Sequence, residues 1–545
     1  MIIYIPLAAV IYILLLCRVP NRVQRIMTFA VLLATFIFNN AFAQKTTTHL
    51  DTIVPGEGTP KQQIKQFKQI KKQQLSDSAS VKKNEPPKSP LIDTNVKNKY
   101  GDLLNDDIKY NPKYPAWKLA VEVVGINAFI WSVDRFLLNE NYSHTGPSTW
   151  KYNIQKGWEW DDDRFGINFV GHPYSGSLYF NAARSQGYNY WQSFSYAAGG
   201  SLMWEYFGEN TRPSYNDFIN TPVNGAFLGE IFYRVSSNIL DDRVSGGNRA
   251  FREIVAGIID PVRGLNRLLE GKSFRHTRTQ VYQQEPLNVT VSVGQHKINQ
   301  DNKTIFGAGP TNAMINVQLD YGNPFEIRNR KPFDLFRFKT EFSFGTGRKM
   351  LDNILGYGLL FGKSTNWGKL SVLYGAFQYY DYWDNKSFEL GALGFGGGLI
   401  TKYPITKSIE LFTNIHLAGT PLAGNSTRYG PDTSQVRDYT YNNGLEAKFE
   451  TRLNIGDRVS TSLSYYYYIL HTFVGPPGDN YVAILRPRID VRLYKNLSIG
   501  FEHFQYYDDR YLKNYPPIFS NRTEQKIFLT YFFRDSQRKE EYNAY

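Results

Sequence analysis

The chain has 545 residues, a formal charge of +13, 42% hydrophobic residues and 16% aromatic ones, led by 39 Tyr and 37 Phe. That is too polar for a bundle of membrane helices and too rich in Tyr and Phe for a cytosolic enzyme. It suits a transmembrane β-barrel, whose strands alternate between lipid and lumen and whose rims carry aromatic girdles.

Much of the charge is local. Eleven Lys stand against five acids between Lys45 and Lys99, so the basic balance does not point to nucleic acid, and no nucleic-acid motif accompanies it. The single cysteine is Cys17. The mature chain is expected to hold none, which excludes disulfides, thiol nucleophiles and Cys-based metal sites.

Residues 1–43 contain two apolar runs and end in Ala41-Phe42-Ala43, a small-x-small cleavage pattern. They read as a secretory signal, with residues 1–26 as a mis-assigned start ahead of Met27. Residues 44–112 are rich in Lys, Gln, Pro and Ser, without apolar periodicity, and read as a disordered basic linker.

Residues 113–275 read as a helical domain. Ala116–Leu138 follows Pro115 with apolar residues at helical spacing, interrupted by Glu122 and Asp134. Ser175–Gln186, Gln192–Phe207, Ser214–Asn238 and Asn248–Glu270 follow. Gly199, Gly200, Gly225 and Gly229 are suited to close helix contact.

From Leu287 the period becomes two. Twelve strand-like segments run to Phe533, so residues 285–534 are expected to form a barrel, with 535–545 as a tail. In Leu445–Ile455, Leu445, Ala447, Phe449, Leu453 and Ile455 form one face and Glu446, Lys448, Glu450 and Arg452 the other. The fold class is therefore α+β, a helical bundle followed by a membrane β-barrel of about twelve antiparallel strands. Long connections at 295–312, 419–442 and 508–524 would lie outside the cell and tight turns at 402–406, 456–457 and 494–496 in the periplasm. The mixed-sign inward faces predict a salt-bridged, largely filled bore, with His416 pointing into it. The expected place is the Gram-negative outer membrane, with the helical domain on the periplasmic side.

Gly166–Glu230 holds His172, Arg184, Glu205, Glu209, Asp217, Asn220 and Glu230 in an apolar, glycine-rich background. Glu205 and Glu209 share a helix face. Ser214 stands at an N-cap position ahead of Asp217. Antiparallel packing could bring His172, Glu205 and Asp217 together. One reading is a buried hydrogen-bonded network that fixes helix packing. The other is catalytic: His172, Glu205 and Asp217 act on a membrane lipid or glycolipid, while Arg184, Arg212, Asn220 and Glu230 bind it. A metal reading of His172, Glu205 and Asp217 has only one histidine, and no metal or cofactor is expected. Trp158–Asp163 could bind a cation but reads as an exposed acidic turn.

The order His172, Glu205, Ser214-x-x-Asp217, Asn220, Asn224-Gly225 and Gly229 resembles VanZ-like and YfiM-like helical proteins. The runs Gly171-His172-Pro173-Tyr174-Ser175-Gly176, Trp204-Glu205-Tyr206-Phe207-Gly208-Glu209 and Asp260-Pro261-Val262-Arg263-Gly264 resemble the bacteroidete domain-of-unknown-function family 3943. That family implies an envelope compartment and no defined reaction. The expected function is an envelope structural or transport role without chemistry, the alternative being lipid or glycolipid processing. Expected partners are outer-membrane lipid and periplasmic envelope components.

Overall fold

The computed structural model describes residues 114–533 apart from 278–279, 300–306, 329, 346–349, 386 and 428–436. The expected signal, linker and tail lie outside the described residues.

Twelve antiparallel strands form a closed barrel in sequence order. They are β1 (Leu287–Ile298), β2 (Thr311–Tyr321), β3 (Phe336–Phe344), β4 (Leu351–Trp367), β5 (Leu370–Asp384) and β6 (Glu389–Thr406), then β7 (Ile409–Ser426), β8 (Tyr439–Ile455), β9 (Val459–Val474), β10 (Gly478–Tyr494), β11 (Leu497–Leu512) and β12 (Ile518–Phe533). Closure runs through β1 and β12, where Val289 faces Phe533 and Ile298 faces Glu524. Closure leaves no strand edge unpaired, as a hydrocarbon surrounding demands. Most strands reach further than their alternation predicts, because tyrosines, glycines and asparagines continue the pairing beyond the apolar core of each strand.

The two ends differ. The turns Gly368–Lys369, Lys407–Ser408 and Lys495–Asn496 join strands tightly at one end. The connections after β1, β7 and β11 lie at the other.

Alternation sets two faces. In β3, Arg337, Lys339, Glu341 and Ser343 point into the bore; Arg337 Nη1 meets Glu450 of β8 at 2.7 Å and Glu341 meets Lys526 of β12 at 2.5 Å. Phe336, Phe338 and Phe342 therefore point outward, yet they are buried. What covers them is the helical unit.

Among the described residues, seven α-helices precede the barrel: α1 (Ala116–Ser132), α2 (Pro147–Lys156), α3 (His172–Arg184), α4 (Tyr190–Met203), α5 (Tyr215–Ile239), α6 (Gly246–Ile259) and α7 (Pro261–Leu269). The sequence pattern missed α2 and merged α6 with α7, which Asp260-Pro261 separates. α3 and α5 form the centre: a Cβ on Gly225 would lie 2.6 Å from the Gly176 backbone, so only glycine permits this approach. Gly229 receives Phe180 and Gly200 receives Tyr179. Gly199, by contrast, has open space beside it.

The helices share one apolar core with the barrel's outer wall. Outward-facing glycines make hollows there. Phe227 of α5 seats over Gly356, Phe169 over Gly391 and Gly424, and Phe333 of the β2–β3 connection over Gly358. α5 begins beside Tyr441, near the long-connection end, and Arg234 in its last turns bonds Asp334 and the Pro332 carbonyl at the other end. At ~1.5 Å per residue, the 25 residues of α5 extend about 37 Å, enough to span the height of the wall.

Much of the exterior of this helical unit is apolar, and several of its charges are turned inward. On α6 and α7, Ile254, Ile258, Leu265, Leu268 and Leu269 are exposed, while Arg249, Arg263 and Arg267 are buried. Asp242 receives Arg249, Arg267 and Arg275 at 2.8, 3.1 and 2.7 Å. α1, with its continuation to Leu138, is long and apolar enough to cross a membrane. Its two acids face protein: Glu122 accepts from Asn266 at 2.6 Å and Asp134 is buried. Val121, Val124, Phe129, Phe136 and Leu137 are exposed. On the bare side of the barrel, Leu445, Ile469, Ile489, Ile499 and Leu529 are likewise exposed.

Candidate functional site

Two places concentrate chemistry: a polar cluster between the helices and the outer wall, and the bore.

The cluster forms where the loop before α3 meets β8. His172 is the first residue of α3, after the wide turn Ile167–Gly171, and Glu205 lies in a second wide turn, Trp204–Gly208. Such π-type turns re-aim side chains and recur at functional positions. His172 Nε2 lies 3.4 Å from Asp217 Oδ1 and 3.9 Å from Asp163 Oδ2, and it makes no hydrogen bond. Glu205 takes a different direction: its Oε2 accepts the Ser214 amide at 2.7 Å. The N-cap role expected of the Ser214 side chain is not made; Glu205 caps the helix from outside instead. His172 and Glu205 line one cavity of about 10 Å³, room for about one water and none for a lipid headgroup or sugar.

Asp161 was expected in an exposed turn. It is instead bonded into the interface: its Oδ1 accepts from Asn168 Nδ2 and from Tyr441 OH, both at 2.8 Å. Asn168 also donates to Tyr439 and Tyr441 at 2.6 and 2.8 Å. Burial alone would raise the Asp161 carboxyl. The Asp217 carboxyl bonded to it, nearby His172, Asn168 and Tyr441 outweigh that and hold it below its ordinary range. Tyr439 and Tyr441 were missed because they belong to a strand far along the chain.

The four residues expected to bind a substrate are used structurally. Arg184 forks onto Glu230 at 2.7 and 3.1 Å, and Arg234 adds a third bond to Glu230 at 2.7 Å. Arg212 closes the loop before α3, binding Glu159 at 2.9 Å and the carbonyls of Lys156, Gly157 and Trp158. Asn220 donates to the Asn168 carbonyl and accepts from Asn224.

The bore is closed. Its long-connection half is filled by an inward aromatic cluster that includes Trp383, Tyr468, Phe504 and Tyr506, all at most 1% exposed. Ion pairs follow: Lys526 with Glu341, Arg486 with Glu502 at 2.7 Å, and Lys448 with Asp381 at 2.5 Å. Beyond them a cavity of about 240 Å³ lies toward the tight-turn end, lined by Arg337, Lys339, Arg452, Arg488, Glu450 and Asp490 among others. Arg337 and Arg488 are paired. Lys339 and Arg452 have no ion-pair partner among the described residues. His416 faces inward as expected, 2.9 Å from Tyr379 OH.

Residues 157–262 match the family model described as "Domain of unknown function (DUF3943)", the family whose motifs the sequence resembles. No curated protein matches the chain. Among solved structures, the outer membrane channel DcaP of Acinetobacter baumannii is similar at 10% identity and a TM-score of 0.23, over 45% of this chain and 96% of that one. The COG4313 outer membrane channel from Pseudomonas putida F1 is similar at 8% and 0.26, over 46% and 96%. The NanC porin is similar at 8% and 0.25, over 44% and 98%. The barrel assignment rests on this chain's own closure and exterior. A closed antiparallel barrel with a lipid-type surface is the architecture of Gram-negative outer-membrane proteins. The chain is an outer-membrane-type barrel protein with an N-terminal helical unit.

Proposed function

We propose that this protein is a gated outer-membrane passage for a small anionic solute, with its helical unit embedded in the bilayer beside the barrel rather than lying on the periplasmic side. One observation carries the solute class: Lys339 and Arg452 face the 240 Å³ cavity without an ion-pair partner. Lys339 is buried and Arg452 partly so; a buried cation without an ion pair is costly, and an anion in the cavity relieves that cost. The gate is the layer of ion pairs and aromatics above the cavity. With the tight turns on the periplasmic side, the cavity faces the periplasm. The embedded position of the helices is supported by their exposed Ile, Leu and Phe and their inward Arg and Asp, the reverse of a soluble bundle.

Planar-bilayer recording and anion uptake into proteoliposomes test the reading. Wild-type protein should show no steady conductance yet take up phosphate or a small dicarboxylate, and Lys339→Met with Arg452→Met should lower uptake at least about tenfold. A wild type that conducts continuously, or uptake indifferent to both substitutions, contradicts it.

A further inference from the structure

The oxygen and nitrogen atoms of Asp161, His172 and Asp217 converge within 4.8 Å of one another. An acidic cluster alone is a common surface feature. Here the decisive atom is His172 Nε2, on a side chain only 3% exposed, aimed between two carboxylates and without a hydrogen-bond partner. A buried ring nitrogen in that position wants either a proton or a Lewis acid. We propose that Asp161, His172 and Asp217 bind one first-row divalent cation of the zinc or manganese type, with Asp163 as a fourth ligand at the solvent side.

The separations suit a single ion. Ligand atoms about 2.0–2.2 Å from a common metal lie within about 4.4 Å of one another, so His172 and Asp217 at 3.4 Å and His172 and Asp163 at 3.9 Å need little movement. The carboxylates are already oriented from behind. Asn168 and Tyr441 hold Asp161, and Asn216 donates to Asp217 at 2.9 Å; such outer partners fix a metal ligand's direction. Entry is from the Asp163 side, whose side chain is half exposed. One imidazole with three carboxylates excludes thiophilic ions and suits zinc or manganese over calcium, which takes oxygen alone. A second acidic histidine cluster, His296 with Glu341 and Glu524, makes the contrast. There His296 is bonded at both ring nitrogens, and Lys526 supplies the positive charge. The ligands differ from those the sequence suggested, with Asp161 in place of Glu205. Because Tyr441 of β8 holds Asp161, the ion would fasten the helical unit to the barrel wall.

The test uses the full, untagged chain purified in detergent and stripped with chelator, then titrated with zinc, manganese and calcium, with bound metal measured by mass spectrometry. Wild type and Glu205→Gln should hold one zinc or manganese per chain. His172→Gln and Asp217→Asn should weaken it by more than about tenfold, and Glu524→Gln should not. Heat-modifiable migration on gels reports that each barrel is folded. Should the buried variants fail to fold, Asp163→Asn decides, since its side chain is half exposed: weaker binding supports the site and unchanged binding overturns it. Binding of calcium alone, no binding by wild type, or equal binding by all variants also overturns it.

Discussion

Phe227 of α5 sits directly over Gly356 of β4, so close that a Cβ on that glycine would lie 2.7 Å from the ring. This contact joins a helix to the outside of a barrel strand. It explains why β4, β6 and β7 carry glycine at outward positions: each missing side chain is a seat for an aromatic ring.

Gly356→Leu fills that seat. Overpacking of this kind costs about 1–3 kcal/mol, and the cost falls on the helix–barrel contact rather than on strand pairing. Heat-modifiable migration should survive, while limited proteolysis should cut between Arg275 and Leu287 faster than in wild type.

Glu230 is held by two arginines and is fully buried. Glu230→Gln strands both guanidinium groups, and breaking such a buried pair costs about 3–5 kcal/mol. The helical unit should lose its cooperative thermal transition. Replacing Arg184, Glu230 and Arg234 together by apolar residues of similar size should restore much of it.

Lys526 ties Glu341 to Glu524 across the closed bore. Lys526→Met leaves two carboxylates facing each other. Single-channel recording should then show openings that wild type lacks, while the barrel remains heat-modifiable.

Asp161 is held below its ordinary value of 3.8. A depressed folded value means the stabilisation is fully present above the ordinary value and is lost as the pH falls from there through the folded value. In the chelator-stripped protein the helix–barrel contact should therefore weaken in acid below about pH 4, measured as faster proteolysis after a pH jump. Asp161→Asn should be weaker at neutral pH and lose this part of the acid dependence.

The barrel was legible because each strand repeats one rule, as Glu446, Lys448, Glu450 and Arg452 opposing Leu445, Ala447 and Phe449 show. What alternation cannot say is what lies against the apolar face. Phe336 and Phe338 read as lipid-facing, the same as Ile489 and Val491, yet the first pair is covered by helices and the second is not. The site was half legible. His172 and Asp217 do meet, because α3 and α5 pack through Gly176 and Gly225. Asp161 did not read as part of the site, because Tyr439 and Tyr441 lie some 280 residues along the chain. Arg184 and Glu230 looked like a binding pair because their pairing with each other needs the helix geometry to be seen.

In the proposed arrangement the helical unit stands in lipid against the barrel's outer wall. The measurement that tests it most directly is the collision accessibility of a nitroxide on a single cysteine replacing Leu268, with Cys17 removed, in reconstituted liposomes. Leu268 is exposed on α7 beside inward-facing Arg267. A helix in lipid should give high accessibility to oxygen and low accessibility to a water-soluble nickel chelate. Ready access of the nickel chelate to Leu268 would contradict it and return the helices to the aqueous periplasm.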